Sequence, residues 1–210
     1  MTEMHLESLD ETRREVFDKL SAFKDIGTLG GGTAISLQLG HRRSYDFDIF
    51  TREPFDPGLW RRVKRVFGRG CVKTLEIEDQ LNLVTGESAA VTFFYDEYKP
   101  KYPEIETRGI GLLDLRDLAS NKAFTIGKRG KWRDYVDVYF LLTRKIVTLR
   151  EIIDVSLERS GGEFPVRLFL QQLVYFDDIA SYEIDFLGEA VPVEEIKRYL
   201  VTEVEALTRE

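Results

Sequence analysis

Leu6, Leu9, Val16, Leu20 and Phe23 recur at helical spacing with charged residues between them, which predicts an amphipathic first helix within residues 5–24. A short strand over Ile26 to Leu29 follows, and Thr33 to Leu39 has room for about two helical turns before Gly40. From Tyr45 to Thr51 the period drops to two, with Phe47 and Ile49 on one face and Asp46 and Asp48 on the other. This is the pattern of a strand with a carboxylate face. Asp56 and Pro57 suit an N-cap and a first turn, opening a helix that points Leu59, Val63, Val66 and Phe67 inward and Arg61, Arg62, Lys64 and Arg65 mostly outward. "CVKTLEIE", "LNLV" and "AAVTFFY" read as three further strands, the last two joined by the turn "TGES".

After the loop "DEYKPKYP" the period returns to that of helices. Asp114 is placed as an N-cap, with Asp117 three residues on, for a helix from Leu115 to Gly127, and another spans Lys131 to Leu142. Three more are expected at 149–159, 164–177 and 192–208, separated by "SGGEFP" and "GEAVP". The expected class is α+β: a mixed sheet flanked by helices over residues 1–113, then a helical region over 114–210. No repeat and no linker divides the chain, so the two parts are expected to form one functional unit.

Composition narrows the setting. Cys71 is the sole cysteine, which excludes an internal disulfide and a cysteine-cluster metal site. The opening "MTEMHLESLD" lacks the basic and apolar regions of a signal peptide, and no apolar run reaches the ~18 residues of a membrane span, so a cytoplasmic protein without membrane association is expected. A net charge of -7 argues against a chain coated in nucleic acid. "WRRVKRVFGRG" and "GKRGKWR" are basic islands that either face a polyanion or form solvated helix faces and turns.

Aspartates two apart on a strand project from one face, with backbone positions ~6.6 Å apart. Both can reach one magnesium ion or a metal pair, and magnesium completes its shell with water and phosphate oxygens; an exposed strand face is the alternative. Gly30, Gly31 and Gly32 sharpen the reading, because a glycine turn opening a helix brings backbone amides to a phosphate, and Thr33 adds a hydroxyl there.

At this spacing "LGGGTAISLQLGHRRSYDFDIF" resembles the DNA polymerase beta-like nucleotidyltransferases, and more closely their AbiEii/AbiGii toxin branch. "DLRDLASNKAFTIGKRGKWRDYVDVYFLL" is similar to a later block of that branch, and "QQLVYFDDIA" and "PVEEIKRYL" to its C-terminal helices. The resemblance implies transfer of NMP from an NTP to an acceptor, with two Mg2+ ions and release of pyrophosphate. It also implies a toxin of a toxin–antitoxin or phage-defence pair, a cognate antitoxin as partner, and the 3' end of tRNA as acceptor.

Residue by residue, Asp46 and Asp48 match the metal ligands, and Gly31, Gly32 and Thr33 the phosphate-holding turn. Arg42 and Ser44 match further nucleotide-site positions, Arg42 either contacting phosphate or closing the turn onto Asp46. Lys122 matches the lysine that neutralises the triphosphate, and Asp134 the aspartate of a Lys-Asp pair that here reads Arg133-Asp134.

Lys122 also stands out by itself, because it interrupts the apolar stripe of Leu115, Leu118 and Ile126; it serves an anionic ligand, pairs with Asp134 or Asp137, or snorkels at the core edge. The third acid of many relatives falls at Thr92, with Asp96 just beyond, which leaves Asp134 as the first candidate general base. A protein or small-molecule acceptor, and a non-catalytic NTP- or partner-binding protein of the same fold, are the competing readings.

Overall fold

The structure is a computed structural model that describes residues 4–56, 58–128 and 130–209, so Pro57, expected in the first turn of a helix, lies outside the described residues. The chain forms two compact units. The first comprises the chain to Lys99 with Pro103–Leu113; the second comprises Pro100–Tyr102 and the chain from Asp114.

The first unit is built on a sheet of β1 (Gly27–Gly30), β2 (Asp46–Thr51), β3 (Val72–Glu76), β4 (Gln80–Val84) and β5 (Ala90–Tyr95), in the order β1-β2-β5-β4-β3. β2 and β5 run parallel and the other neighbours antiparallel, which makes the sheet mixed. Alternation fixes its two faces. Phe47, Ile49, Leu81, Leu83, Val91 and Phe93 are buried, whereas Asp46, Asp48, Asn82 and Thr92 are only half-buried.

Phe23 caps the apolar face, its ring 5.0 Å from Phe93 and 6.0 Å from Phe67 of α3 (Leu59–Phe67). The expected first helix is interrupted. Asp10 accepts a hydrogen bond from the Arg13 amide and opens α1 (Glu11–Lys19), which is flanked by 3-10 turns at Leu6–Ser8 and Leu20–Phe23. α2 (Gly31–Leu39) begins two residues earlier than expected, at the second glycine, and ends at Gly40 with φ +60°.

The second unit contains α4 (Leu115–Lys128), α5 (Trp132–Thr143), α6 (Leu149–Arg159), α7 (Val166–Leu173) and α8 (Val193–Arg209). Tyr135 is fully buried among Trp132 and Phe176, and its hydroxyl donates to the Gln172 carbonyl. α7 is shorter than the expected 164–177: at its end the Gln172 carbonyl accepts from the Tyr175 amide of a tight turn and from the distant Tyr135 hydroxyl. The fully buried Asp117 carboxylate accepts the amides of Lys101 (2.8 Å) and Tyr102 (2.9 Å), which holds that short segment to α4.

Candidate active site

Asp46 and Asp48 lie on the half-buried face of β2, as its alternation requires. Gly30 pairs with Asp48 across the β1–β2 ladder, and Gly31 turns the chain into α2 at φ +63°. A β-carbon on Gly31 would collide with the Asp48 carboxylate, which therefore lies against bare backbone at the start of a helix. The first-turn amides of α2 have no acceptors within the helix, so unpaired backbone donors of the kind that suit a phosphate stand beside an acidic strand face.

Thr33 and Ser44 are buried beneath this junction. The Thr33 hydroxyl donates to the Asp46 carbonyl and shares a 2.8 Å hydrogen bond with the Ser44 hydroxyl. These side chains tie α2 to the start of β2. Arg42 is also buried, and one guanidinium N–H donates to the Arg43 carbonyl at 2.9 Å.

The register places Thr92 beside Asp48 on β5 and Asn82 beside Thr92 on β4. The row Asp48, Thr92, Asn82 therefore runs across the open face, with a hydroxyl where a third carboxylate was sought. Asn82 was not singled out in the sequence; only the pairing of β4 with β5 reveals it.

In the second unit Lys122 is 7% exposed, with Nζ 2.7 Å from Asp134 Oδ1 and 2.7 Å from Asp137 Oδ2. Both carboxylates weighed as partners from the sequence are thus engaged at once, and Asp137 is fully buried. Asp134 also accepts from the Lys131 amide at the start of α5, at 3.4 Å. One ammonium between two carboxylates satisfies the demand that a buried charge be paired.

The Asp46–Asp48 pair suits a hard divalent cation: both are carboxylates and they share one strand face. Among the described residues no cluster of three or more His, Cys, Asp or Glu is arranged to hold a metal, so water and a bound phosphate group would complete the shell.

Residues 95–204, just over half the chain, match the family described as nucleotidyl transferase AbiEii toxin, type IV TA system. The chain belongs to the AbiEii nucleotidyltransferase toxin family. It is accordingly an enzyme of NMP transfer that uses NTP, of a family assigned to toxin–antitoxin systems. The matched stretch starts at the end of β5, so Asp46 and Asp48 precede it.

An uncharacterised protein of Aquifex aeolicus is 28% identical over 185 residues, covering 82% of this chain and 85% of its own. MenT4, a nucleotidyltransferase toxin of Mycobacterium tuberculosis, has a similar fold with a TM-score of 0.64 at 14% identity, over 93% of this chain and 81% of its own. JHP933 of Helicobacter pylori superposes with a TM-score of 0.59 at 17% identity, over 96% and 94%. The fold is the polymerase beta-like one expected from the sequence. Among the described residues no helix is long and apolar enough to cross a membrane.

Proposed function

We propose that this AbiEii-family enzyme transfers NMP from an NTP to the 3' end of a tRNA, with Asp46 and Asp48 holding Mg2+ and a cognate antitoxin restraining it in the cell. The observation that carries the proposal is the Asp48 carboxylate seated against the backbone of Gly31 at the start of α2. When bound, the metal neutralises triphosphate charge and favours ionisation of the acceptor hydroxyl. A two-ion arrangement accords with two carboxylates on one strand face.

The chain's own residues then have separable tasks. Amides of Gly31 and Gly32 hold phosphate oxygens, and the α2 dipole favours the negative charge. Thr33 and Ser44 act as positioning residues that fix the carboxylate strand to that helix, and Arg42 fixes the turn between them. The acceptor oxygen bonds to the α-phosphorus, and the bond to the β-phosphate oxygen breaks as pyrophosphate leaves. Lys122 matches the family's phosphate-neutralising position, and Asp134, 2.7 Å from its ammonium, is the candidate general base that takes the acceptor hydroxyl's proton.

The test is incubation with each α-labelled NTP, Mg2+ and total cellular RNA or protein, alongside Asp46→Asn. Label on tRNA that is lost in the variant is expected. Label on protein would replace the acceptor, and undiminished label in the variant would refute the site.

A further inference from the structure

A cavity of about 560 Å³ opens in the first unit away from the carboxylate pair, between the chain leaving β2 and the helix α3. Thr51, on its wall, is three residues beyond Asp48, about 10 Å along the strand. Arg52, Arg61, Arg62 and Arg65 all line it, in a chain whose net charge is -7. These arginines are not equivalent.

Arg62 is fixed into the wall by hydrogen bonds to the Ala22 carbonyl and the Asp25 carboxylate, and its guanidinium lies over the Phe23 ring at 5.4 Å. Arg52 donates to the Lys24 carbonyl and to Glu104. Arg61 and Arg65 are exposed, stand one helical turn apart on α3, and have no hydrogen bond or ion pair among the described residues. Two guanidinium groups on one wall, with no protein partner, present a fork for a phosphate.

The rest of the lining defines what else the ligand carries. Phe55 is half-buried there, and Glu53 and Asp56 line the same space, one oxygen of the Asp56 carboxylate accepting the Gly58 amide and the other left for a ligand. Carboxylates repel a bare triphosphate, but they accept hydrogen bonds from exocyclic amino groups of bases. Phosphate, a flat aromatic body and amino donors together describe a nucleotide within a single-stranded nucleic acid.

We propose that this cavity seats a nucleotide of the acceptor RNA upstream of its reacting end, with phosphate on Arg61 and Arg65, the base on Phe55, and base amino groups on Glu53 or Asp56. The proposal rests on the reading of RNA as acceptor and specifies where the chain grips it. Arg62, by contrast, is a structural wall.

The test measures binding of a fluorescein-labelled single-stranded oligoribonucleotide over a series of salt concentrations, for wild type, the double variant Arg61→Ala/Arg65→Ala and the charge-preserving Arg61→Lys/Arg65→Lys. Thermal unfolding confirms that each variant folds. Loss of two phosphate contacts is expected to weaken binding on the order of tenfold and to flatten the log–log salt slope by about 1.4, at ~0.7 per contact on a single strand. The lysine pair restores most of the slope. Mg2+-dependent NTP binding in the same preparations is expected to stay at the wild-type level.

Affinity and slope equal to wild type in the alanine variant would overturn the proposal. So would a wild type that binds no oligoribonucleotide at low salt. If that wild type still releases pyrophosphate from NTP, and Asp46→Asn does not, NMP transfer stands while the RNA seat falls. Loss of an acidic protein partner in the alanine variant, with RNA binding intact, would likewise overturn it.

Discussion

Asp48 and Gly31 share one small volume: the carboxylate on β2 occupies the space where a side chain on the first residue of α2 would begin. Gly31→Ala combines that collision with a left-handed backbone at φ +63°, costing about 1–2 kcal/mol from the conformation alone. A lowered urea midpoint is expected. Displacing the carboxylate is expected to lower NMP transfer on the order of 100-fold, beyond what the lost folded fraction explains, measured on protein held well below its unfolding transition.

Thr92 stands beside Asp48 in the parallel ladder. Thr92→Asp places a second carboxylate there, and like charges directly opposite destabilise by up to ~1 kcal/mol. The variant is expected to be less stable than wild type at neutral pH and to gain more from added Mg2+. Urea unfolding with and without the cation measures both effects; equal Mg2+ responses would argue against a metal at Asp48.

Lys122 and Asp134 allow the structural role of the ion pair to be told from the proposed role in transfer. Lys122→Met leaves the buried carboxylates of Asp134 and Asp137 facing each other without their cation, and a loss of about 3–5 kcal/mol in unfolding free energy is expected. Asp134→Asn retains Asp137 as counterion and is expected to unfold near the wild-type midpoint while transfer falls. Wild-type transfer in that variant would remove Asp134 from the reaction.

Hydrogen bonds from Arg62 hold the Asp25 carboxyl below its ordinary value of 3.8, against a smaller opposing effect of burial. A carboxyl lowered on folding adds stability above its unfolded pKa and loses it as pH falls through the folded one. The stability gap between wild type and Arg62→Ala is therefore expected to be constant at neutral pH and to narrow below about pH 4. Part of the gap persists in acid, because the bonds to the Ala22 carbonyl and the contact with Phe23 do not titrate. Both groups are partly exposed, so the titrating part is small, about 1 kcal/mol or less.

The residues differ in how openly the sequence displays these relations. β2 was legible because one buried face forces strict alternation, and Phe47 and Ile49 leave Asp46 and Asp48 no choice of side. α2 was legible at its end, where Gly40 closes it, but its start lies two residues before Thr33: Gly31 makes the expected turn at φ +63° as the first residue of the helix, and Gly32 follows within it. The break at Asp10 and the early end of α7 escaped because one is decided by a local cap and the other by a tight turn together with a distant hydroxyl, none of which helical periodicity encodes.

For the candidate site, the residue types were visible and their partners were not. Thr33 was expected at phosphate, yet its hydroxyl bonds the Asp46 carbonyl, a contact formed only when β2 packs beside α2. The pairing of Thr92 with Asp48 needed the parallel register, and the clear cavity wall at Arg61 and Arg65 needed to be told from Arg62, which has the same chemistry and an adjacent position.

The parallel pairing of β2 with β5 also bears on how the chain acquires its reactivity. β3, β4 and β5 are neighbours in sequence and can zip together locally, whereas joining Asp46 to Ala90 closes a long loop and carries a larger entropic cost. Thr92 reaches Asp48 only at that closure. A nascent chain still emerging from the ribosome before β5 holds both aspartates yet lacks their frame, so the proposed site is assembled by completed folding rather than by synthesis of the acidic strand.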